Sequence, residues 1–372
     1  MANLKALRSG VKLMQRKRVF KKASYDIKGN DNAPAESSKN HIPPLKCLIS
    51  AFLSVSLVFG LSGCIGANSM RFITGGESGT YYAFGSVIAQ HATNNTDLQV
   101  NALSGNGSQA NIQALEDIDA ELAFCQSDVM AYACNGTNLF EKTGKVDCFS
   151  AVCALYMETV QIVTCDPNIK NVSDLRGKTV SVGAANSGVY FNAMDVLNAY
   201  DIGLSDISAV YQSFGDSTDS LKDGKIDAAF VVAGAPTTSI TDLSTSKQAY
   251  LVSIDDEHIQ KITSQSDYYS ENTIPANTYS GVETDTKTIA VAAVILARDG
   301  VSEDNIYAFV KDLFDDAGNQ VQAHAKYSEV NLDFGASITS VPYHPGAAKY
   351  FAEKGKQVES KESATKAMTM QG

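Results

Sequence analysis

The sequence predicts an α/β fold of two similar lobes, joined by two strands, with a ligand cleft between the lobes. Short apolar strands alternate with helical segments, and the order strand, glycine loop, helix occurs in two successive rounds. Such alternation is typical of parallel sheets covered by helices. Apolar strands near 159–164 and 286–295 are expected to cross between the lobes as a hinge. Clefts between hinged lobes commonly bind small ligands.

The first round predicts the first lobe. Apolar runs bounded by turn residues predict three strands, and segments that open after a glycine or serine predict two helices. The expected strands are 70–74, 98–103 and 122–126, and the expected helices are 82–91 and 108–118.

The second round predicts the second lobe and the return of the chain. Strands at 152–155 and 160–165 are expected to lead from the first round to the second. Further strands are expected at 179–182, 209–211 and 228–232, and helices at 172–178, 187–198 and 217–223. A near-continuous apolar strand at 288–297 and helices at 304–314 and 319–324 are expected to rejoin the first lobe. The predicted organisation is a leader over 1–63, a first lobe of 64–160 plus 288–372, and a second lobe of 161–287.

The N-terminal segment has the order of a bacterial secretory signal. Lys46 precedes an almost wholly apolar run over 47–60, and the sequence Leu-Ser-Gly then leads to Cys64. Basic region, apolar core and small residues before a cleavage site are typical of a signal peptide. Because the run is shorter than the roughly 20 residues of a spanning helix, the alternative is a buried core helix. The 46 residues before the run suggest an early start codon or an unstructured leader.

The net charge of the chain limits the classes of molecule that it is expected to bind. The full chain of 372 residues carries a net charge of −11, and residues 1–63 hold 11 Lys and Arg against 3 Asp and Glu. The remaining 309 residues therefore carry 19 basic and 38 acidic residues, a net charge of −19. A surface this acidic argues against nucleic acid and against docking to anionic lipid through charge. Attachment to a membrane is therefore expected through lipid on Cys64.

The cysteines after Cys64 show no spacing typical of a zinc site. Three of them lie in apolar runs and are expected to be buried, namely Cys125, Cys153 and Cys165. Cys134 and Cys148 flank a polar loop, and outside the cytoplasm they have the option of pairing. The odd total leaves that pairing open.

Three loops between a strand and a helix are candidate ligand contacts. They have the sequences Gly-Gly-Glu-Ser-Gly-Thr at 75–80, Ser-Gly-Asn-Gly-Ser at 104–108, and Gly-Ala-Ala-Asn-Ser-Gly at 183–188. Glycines let the backbone approach a ligand, and helix N-termini offer free N–H groups to an anion. Ordinary turn and capping chemistry explains one such loop equally well. Asn111 is expected to face the cleft or solvent, and Gln126 lies at a strand end where ligands gather.

The sequence predicts neither an enzyme nor a cofactor. The loops at 75–80 and 183–188 match neither nucleotide-binding glycine motif, and residues 64–372 contain no Gly-x-Ser-x-Gly elbow and no His-Glu-x-x-His pair. Their histidines and carboxylates have no spacing that indicates an acid–base pair, so a solvated charged surface is the ordinary explanation.

The chain resembles the TAXI family of TRAP-associated extracytoplasmic solute receptors over residues 72–355. The matching pieces include Gly-Gly-x-x-Gly-Thr-Tyr-Tyr at 75–82, Leu-Ala-Phe-Cys-Gln-Ser-Asp at 122–128, Gly-Lys-Ile-Asp-Ala at 224–228, and His-Pro-Gly-Ala-Ala-Lys-Tyr at 344–350. The resemblance implies a type II periplasmic-binding-protein-like fold. It also implies a small carboxylate or amino acid as ligand (glutamate, glutamine or 2-oxoglutarate-like) and delivery to TRAP permease subunits in the membrane.

Carried over by position, the family's ligand-contacting residues fall on both lobes. In the first lobe they are Gly76, Thr80, Tyr81, Ser108, Asn111 and Gln126, and in the second Ser187, Gly188, Val189, Tyr190 and Gly234. Relatives often carry Thr where this chain has Val189, so a hydroxyl is missing there.

Two alternative functions are compatible with the same pattern. A binding protein of an ABC importer, or a receptor for a membrane sensor kinase, would share the fold, and only the TAXI-like motifs favour TRAP. An α/β enzyme is the third reading, and it lacks a nucleophile–base pair.

Overall fold

The computed structural model describes residues 68–362, which form a mixed α/β fold around one continuous ten-stranded sheet. The predicted leader and Cys64 lie outside the described residues. The strands are β1 (Ser69–Ile73), β2 (Gln99–Leu103), β3 (Leu122–Gln126), β4 (Phe149–Thr164), β5 (Thr179–Ser181), β6 (Ser208–Val210), β7 (Ala228–Ala233), β8 (Tyr250–Leu251), β9 (Tyr269–Ile274) and β10 (Thr286–Arg298).

Helices cover the sheet. They are α1 (Thr80–Asn95), α2 (Ser108–Glu116), α3 (Ser127–Asn135), α4 (Gly188–Ala199), α5 (Phe214–Lys222), α6 (Thr238–Ser246), α7 (Asp256–Gln265), α8 (Glu303–Asp315), α9 (Leu332–Gly335) and α10 (Pro345–Glu353). Short 3-10 helices lie at Asn138–Glu141, Val172–Leu175, Leu204–Asp206, Ala317–Asn319 and Ala325–Glu329. Within residues 68–362, no helix has the length and apolar character needed to cross a membrane.

The strand order is β2-β1-β3-β10-β4-β7-β5-β6, with β8 beside β4 and β9 beside β10. The pairs β1–β2, β1–β3, β5–β6 and β5–β7 are parallel, while the pairs made by β4 and β10 are antiparallel. Each end of the sheet is thus a small parallel α/β unit. The predicted fold class is confirmed: two α/β lobes share a pair of strands, as in the type II periplasmic-binding-protein-like class.

The apolar core is divided in the same way. One core holds buried residues from 70–156 and 293–351 together with Phe191 of α4, and the other two clusters draw only on 160–291. The division falls inside β4 and inside β10, the two strands in which the predicted lobe boundaries at 160/161 and 287/288 also lie. In the first core the Phe124 ring stacks between Tyr81 and Phe72, with centroid distances of 4.6 and 5.1 Å. Such aromatic pairs add to the stability from burial alone.

Two predictions of secondary structure are wrong, one in the strand that passes between the lobes and one in the C-terminal part of the chain. The strands predicted at 152–155 and 160–165 are one strand, β4, because Glu158 and Thr159 between them are buried and continue the pairing. The predicted helix at 319–324 does not form. The chain there makes a 3-10 turn at Ala317–Asn319 followed by turns.

Several helices and strands of the structure were not predicted, because their sequences show only a weak hydrophobic pattern. They are α3, α6, α7, α9, α10, β8 and β9, whose apolar residues are few or interrupted. In α10, His344 caps the helix by accepting a hydrogen bond from Gly346 N, and Pro345 opens it. Proline is favoured at the first helical position, where its missing N–H costs nothing.

The thiols of Cys134 and Cys148 are both free and half-buried, so the disulfide that the sequence left open is not formed. Cys125 and Cys153 are buried as predicted, and Cys165 is half-buried at the edge of the second lobe's core.

Gly346 sets how closely α10 packs on α8. A Cβ at this position would overlap Glu303 O and lie 2.7 Å from Tyr307 N, both backbone atoms of α8. We expect Gly346→Ala to lower the free energy of unfolding by about 1–3 kcal/mol, the usual cost of overpacking. Urea unfolding followed by circular dichroism measures it. Gly318→Ala is the control, since a Cβ there meets no atom within 4 Å. Equal stability of the two variants would contradict this packing.

Candidate functional site

A small cavity lies between the two lobes, at the carboxyl ends of the parallel strands. The first lobe lines it with the loops after β1 and β2, the end of β3 and Glu158 of β4, and the second lobe lines it with residues from 184–189, 213–214 and 232–233. Its volume is about 100 Å³. Since an engineered cavity of roughly 150 Å³ holds a benzene molecule, this one is on the scale of a single small ligand.

The two lobes touch each other directly around the cavity. Thr80 Oγ1 donates to Gly234 O at 3.0 Å. Two backbone bonds also cross, from Ala110 N to Asn186 O at 3.1 Å and from Ser239 N to Ser78 O at 3.3 Å. The lobes are therefore in a closed arrangement, and both contribute to the wall of the cavity.

Three helices begin at residues that line the cavity. Gly79 precedes α1, Gly107 precedes α2 and Ser187 precedes α4, and none of them gives a side-chain cap to its helix. The Ser187 hydroxyl instead donates to Ala184 O at 2.7 Å. Uncapped first-turn N–H groups and the positive end of the helix dipole favour an anion. Two of the three helices belong to the first lobe and one to the second.

Close backbone approach across the cavity requires glycine at two positions. Gly107 has φ of +103°, and a Cβ there would meet Ser187 Cβ at 3.1 Å in the opposite lobe. A Cβ at Gly188 would overlap Gln126 Oε1, also across the cleft. Both glycines thus allow the lobes to close.

A buried polar network lies beside the cavity and ties α4 to the first lobe. Gln126 Nε2 donates to Asn192 Oδ1 at 2.9 Å, and Asn192 Nδ2 donates to Asp128 Oδ2 at 3.1 Å and to Tyr269 Oη at 2.8 Å. The Tyr269 hydroxyl donates in turn to Asp195 Oδ2 at 2.7 Å. Burial is the main cause that raises the pKa of Asp128 to about 7, and it also raises the pKa of Asp195.

Glu158 is the ionisable side chain of the cavity wall. It is 2% exposed, and its Oε2 accepts a hydrogen bond of 2.6 Å from the Tyr81 hydroxyl. Burial raises the pKa of Glu158 to about 8, although the Tyr81 hydrogen bond and the nearby Lys326 ammonium favour the ionised form. Lys326 is itself buried and paired with Glu329. Among the residues that the structure describes, no Lys or Arg lines the cavity.

The cavity brings together eight of the eleven residues that the resemblance implies as ligand contacts. They are Gly76, Thr80, Tyr81, Ser108, Gln126, Ser187, Gly188 and Val189. Ser108 Oγ also accepts a hydrogen bond from Gln126 N at 3.1 Å, so it joins the start of α2 to the end of β3. Val189 presents an apolar side chain to the cavity.

The other three residues lie outside the lining. Asn111 faces neither the cleft nor solvent: it is fully buried, and its amide donates to Thr74 O at 2.5 Å and Phe124 O at 2.8 Å. Tyr190 packs near Phe191 and Tyr211 away from the cavity. Gly234 lies behind the cavity, and a Cβ there would overlap Lys326 Cε.

Several lining residues escaped the sequence reasoning. Besides Glu158 they are Ser78, Asn106, Ala184, Ser213, Phe214, Val232 and Ala233. Those in the 75–80, 104–108 and 183–188 loops were covered by the loop motifs without being singled out. Nothing in the sequence indicates that Glu158 lines a cavity, because a lone acidic residue between two apolar runs has the pattern of a turn.

A comparison with protein families decides the family. The profile of the NMT1-like family matches residues 72–355, most of the chain. The chain belongs to the NMT1-like family.

Solved structures give weaker similarities to this NMT1-like chain. The periplasmic aliphatic sulphonate binding protein SsuA from Escherichia coli is 13% identical with a TM-score of 0.44, over 77% of this chain and 90% of that one. The alkanesulfonate-binding protein SsuA from Xanthomonas axonopodis pv. citri, bound to MOPS, is 13% identical with a TM-score of 0.43, over 77% and 91%. The ligand-binding component of an ABC-type import system from Staphylococcus aureus is 10% identical with a TM-score of 0.45, over 80% and 95%.

The raised pKa of Glu158 predicts a pH-dependent stability. Between the ordinary glutamate pKa and about 8, the folded protein holds a proton that the unfolded chain has released. Stability contributed by this group is therefore present at low pH and is lost as pH rises through 8. Relative to Glu158→Gln, the wild type should lose stability from pH 5 to 8 by at most about 1.4 kcal/mol per pH unit. Urea unfolding at each pH measures the difference.

The matched control is Glu271→Gln, which removes an exposed carboxylate on β9. The difference in the free energy of unfolding between this variant and the wild type should stay nearly constant over the same pH range. A constant difference for Glu158→Gln as well would show that Glu158 is ionised in the folded protein, against the burial described here.

Proposed function

We propose that this chain is the extracytoplasmic solute receptor of a TRAP-type secondary transporter. It captures a small carboxylate or amino acid by closure of its lobes and delivers it to the membrane permease. The observation that carries the proposal is the convergence of three uncapped helix N-termini, from both lobes, on one cavity between the lobes. The TAXI-like motifs support the TRAP class.

The charge of the cavity supports a carboxylate ligand. With no Lys or Arg in the lining among the described residues, an anion has to be held by backbone N–H groups and hydroxyls. Helix N-termini supply such donors in fixed positions. A monoanionic or locally anionic ligand is therefore better suited to this cavity than a multiply charged phosphate compound, which usually recruits Arg or Lys.

Closure couples binding to delivery. Because the anion's donors come from both lobes, a ligand in the cavity adds contacts only in the closed arrangement. A ligand shifts an equilibrium by its differential affinity for the two states, so a bound ligand favours closure. The closed form is the one that we expect the permease to recognise.

Isothermal titration against small carboxylates and amino acids tests the ligand class, with Gly188→Ala as the site variant. The added methyl group overlaps Gln126 Oε1 and prevents the close approach of α4 to β3. We expect affinity to fall at least tenfold, equivalent to about 1.4 kcal/mol, with a small change in Tm. Gly203→Ala, whose Cβ meets only side-chain atoms at 3.7 Å, should bind like the wild type. No binding by the wild type across the panel would refute the ligand class.

Reconstitution of the candidate permease in vesicles tests the transporter class. Uptake that requires this protein and an ion gradient supports TRAP. Uptake that requires ATP instead would place the chain with ABC importers.

We propose further that lipid on Cys64 holds the receptor at the membrane. The acidic body gives no electrostatic attraction to anionic lipid, and tethering raises the concentration of receptor near the permease. Intact mass of the protein from membranes should show residues 64–372 plus diacylglyceryl-type lipid. Cys64→Ser should release the protein from the membrane fraction with its ligand affinity unchanged. Retention of residues 1–63 in the mature protein would contradict the anchor and leave the receptor proposal standing.

A further inference from the structure

The orientation of the Gln126 amide is fixed by the buried network. The Tyr269 hydroxyl donates to Asp195, so its oxygen accepts from Asn192 Nδ2. That same nitrogen also donates to Asp128 Oδ2. The side-chain carbonyl oxygen of Asn192 therefore points toward Gln126, and Gln126 Nε2 donates a hydrogen bond to it. Amide orientation follows from such networks, and in this orientation each of these hydrogen bonds runs from a donor to an acceptor.

Gln126 Oε1 is consequently directed away from the network and has no partner among the described residues. Gln126 is 2% exposed and lines the cavity, where Oε1 lies at the first turn of α4 beside Gly188. A buried acceptor that lacks a donor is costly. What fills the cavity is therefore expected to bring a hydrogen-bond donor to this oxygen.

Glu158 supplies a second acceptor to the same cavity. Its Oε2 already accepts from Tyr81, which orients the carboxyl group from the α1 side. Gln126 and Glu158 both belong to the first lobe's floor, on β3 and β4, whereas the helix N-termini are donors. The cavity thus offers hydrogen-bond acceptors beside the donors of the helix N-termini.

We propose that Gln126 Oε1 and the Glu158 carboxyl form a subsite for the protonated amine of the ligand. The cavity then takes an amino acid, with its carboxylate at the helix N-termini, in preference to the 2-oxo acid of the same skeleton. This inference rests on the proposed capture of a carboxylate and adds the second group of the ligand.

The chemistry of the two ligand classes makes the preference large. An ammonium group has three donors and a positive charge, so it satisfies both acceptors at once. A 2-oxo group offers only an acceptor, so it has no donor for Gln126 Oε1 and interacts with Glu158 only while that carboxyl is protonated. Sites built to hydrogen-bond a substrate group reject analogues that lack it.

The charges around Glu158 fit this role. The groups that act on it are the Tyr81 hydroxyl, the Asp128 carboxyl, the Lys326 ammonium and the Gln126 amide. With a pKa of about 8, Glu158 is mostly neutral at pH 7 before a ligand binds. An arriving ammonium favours the carboxylate, so the Glu158 proton passes to solvent as the ligand binds. Binding of an amino acid is then accompanied by proton release, while binding of an oxo acid is not.

Calorimetry of matched pairs tests the inference with full-length mature protein. The probes are L-alanine with pyruvate, L-glutamate with 2-oxoglutarate, and L-leucine with 4-methyl-2-oxopentanoate. Titrations at pH 7 in two buffers of different ionisation enthalpy also count the protons released. We expect the best-bound skeleton to favour the amino acid at least tenfold, with proton release close to one per ligand.

Glu158→Gln, with Glu271→Gln as control, assigns the effect to the carboxyl group. In Glu158→Gln, affinity for the amino acid should fall at least tenfold and proton release should vanish, while affinity for the oxo acid stays the same or rises. If Glu158→Gln does not fold, the wild-type preference and proton count decide alone. Equal affinity of the wild type for both members of the pair overturns this inference and leaves carboxylate capture intact. No binding by any probe overturns both.

Discussion

The antiparallel pairing of β4 with β10 is the constraint on which the rest of the molecule depends. Both strands run from one apolar core into the other, so each lobe is built outward from the same central pair. In the first lobe β10 pairs with β3, and in the second β4 pairs with β7. The carboxyl ends of the parallel strands in both lobes therefore meet above this pair, which is where the cavity lies and where Glu158 enters it.

Two kinds of contact hold the lobes in the closed arrangement: backbone hydrogen bonds and a network of buried polar side chains whose burial costs desolvation free energy. Gln126, Asn192 and Asp128 bury polar groups that are worth retaining only when all are paired. That pairing exists only when α4 approaches β3, which glycine at 188 permits. The network thus gives the closed arrangement a defined geometry, with Gln126 Oε1 as the one acceptor of the Gln126 and Asn192 amides that has no partner among the described residues. In the proposed function, binding and closure are parts of one arrangement of hydrogen bonds.

The sequence predicts the parts that follow a local pattern. Strand–helix alternation predicts the lobes, and glycine loops before helices predict the donor side of the cavity, including Gly188 and Ser108. Asn111 was placed at the cleft or in solvent because helical spacing alone does not show that its amide binds two strand carbonyls. Glu158 was missed since its burial depends on Tyr81, 77 residues earlier in the chain. Long-range pairing of this kind leaves no periodic signal in one sequence.

Hydrogen exchange in the presence of the tightest-binding carboxylate shows whether the two lobes close together on one ligand. The amides to follow are those in the first turns of α1 and α2, from the first lobe, and of α4, from the second. The account predicts that saturating ligand slows exchange in all three turns together, with the peptide that contains Asn192 protected to the same extent. Protection confined to one lobe, at a ligand concentration that saturates binding, would contradict it.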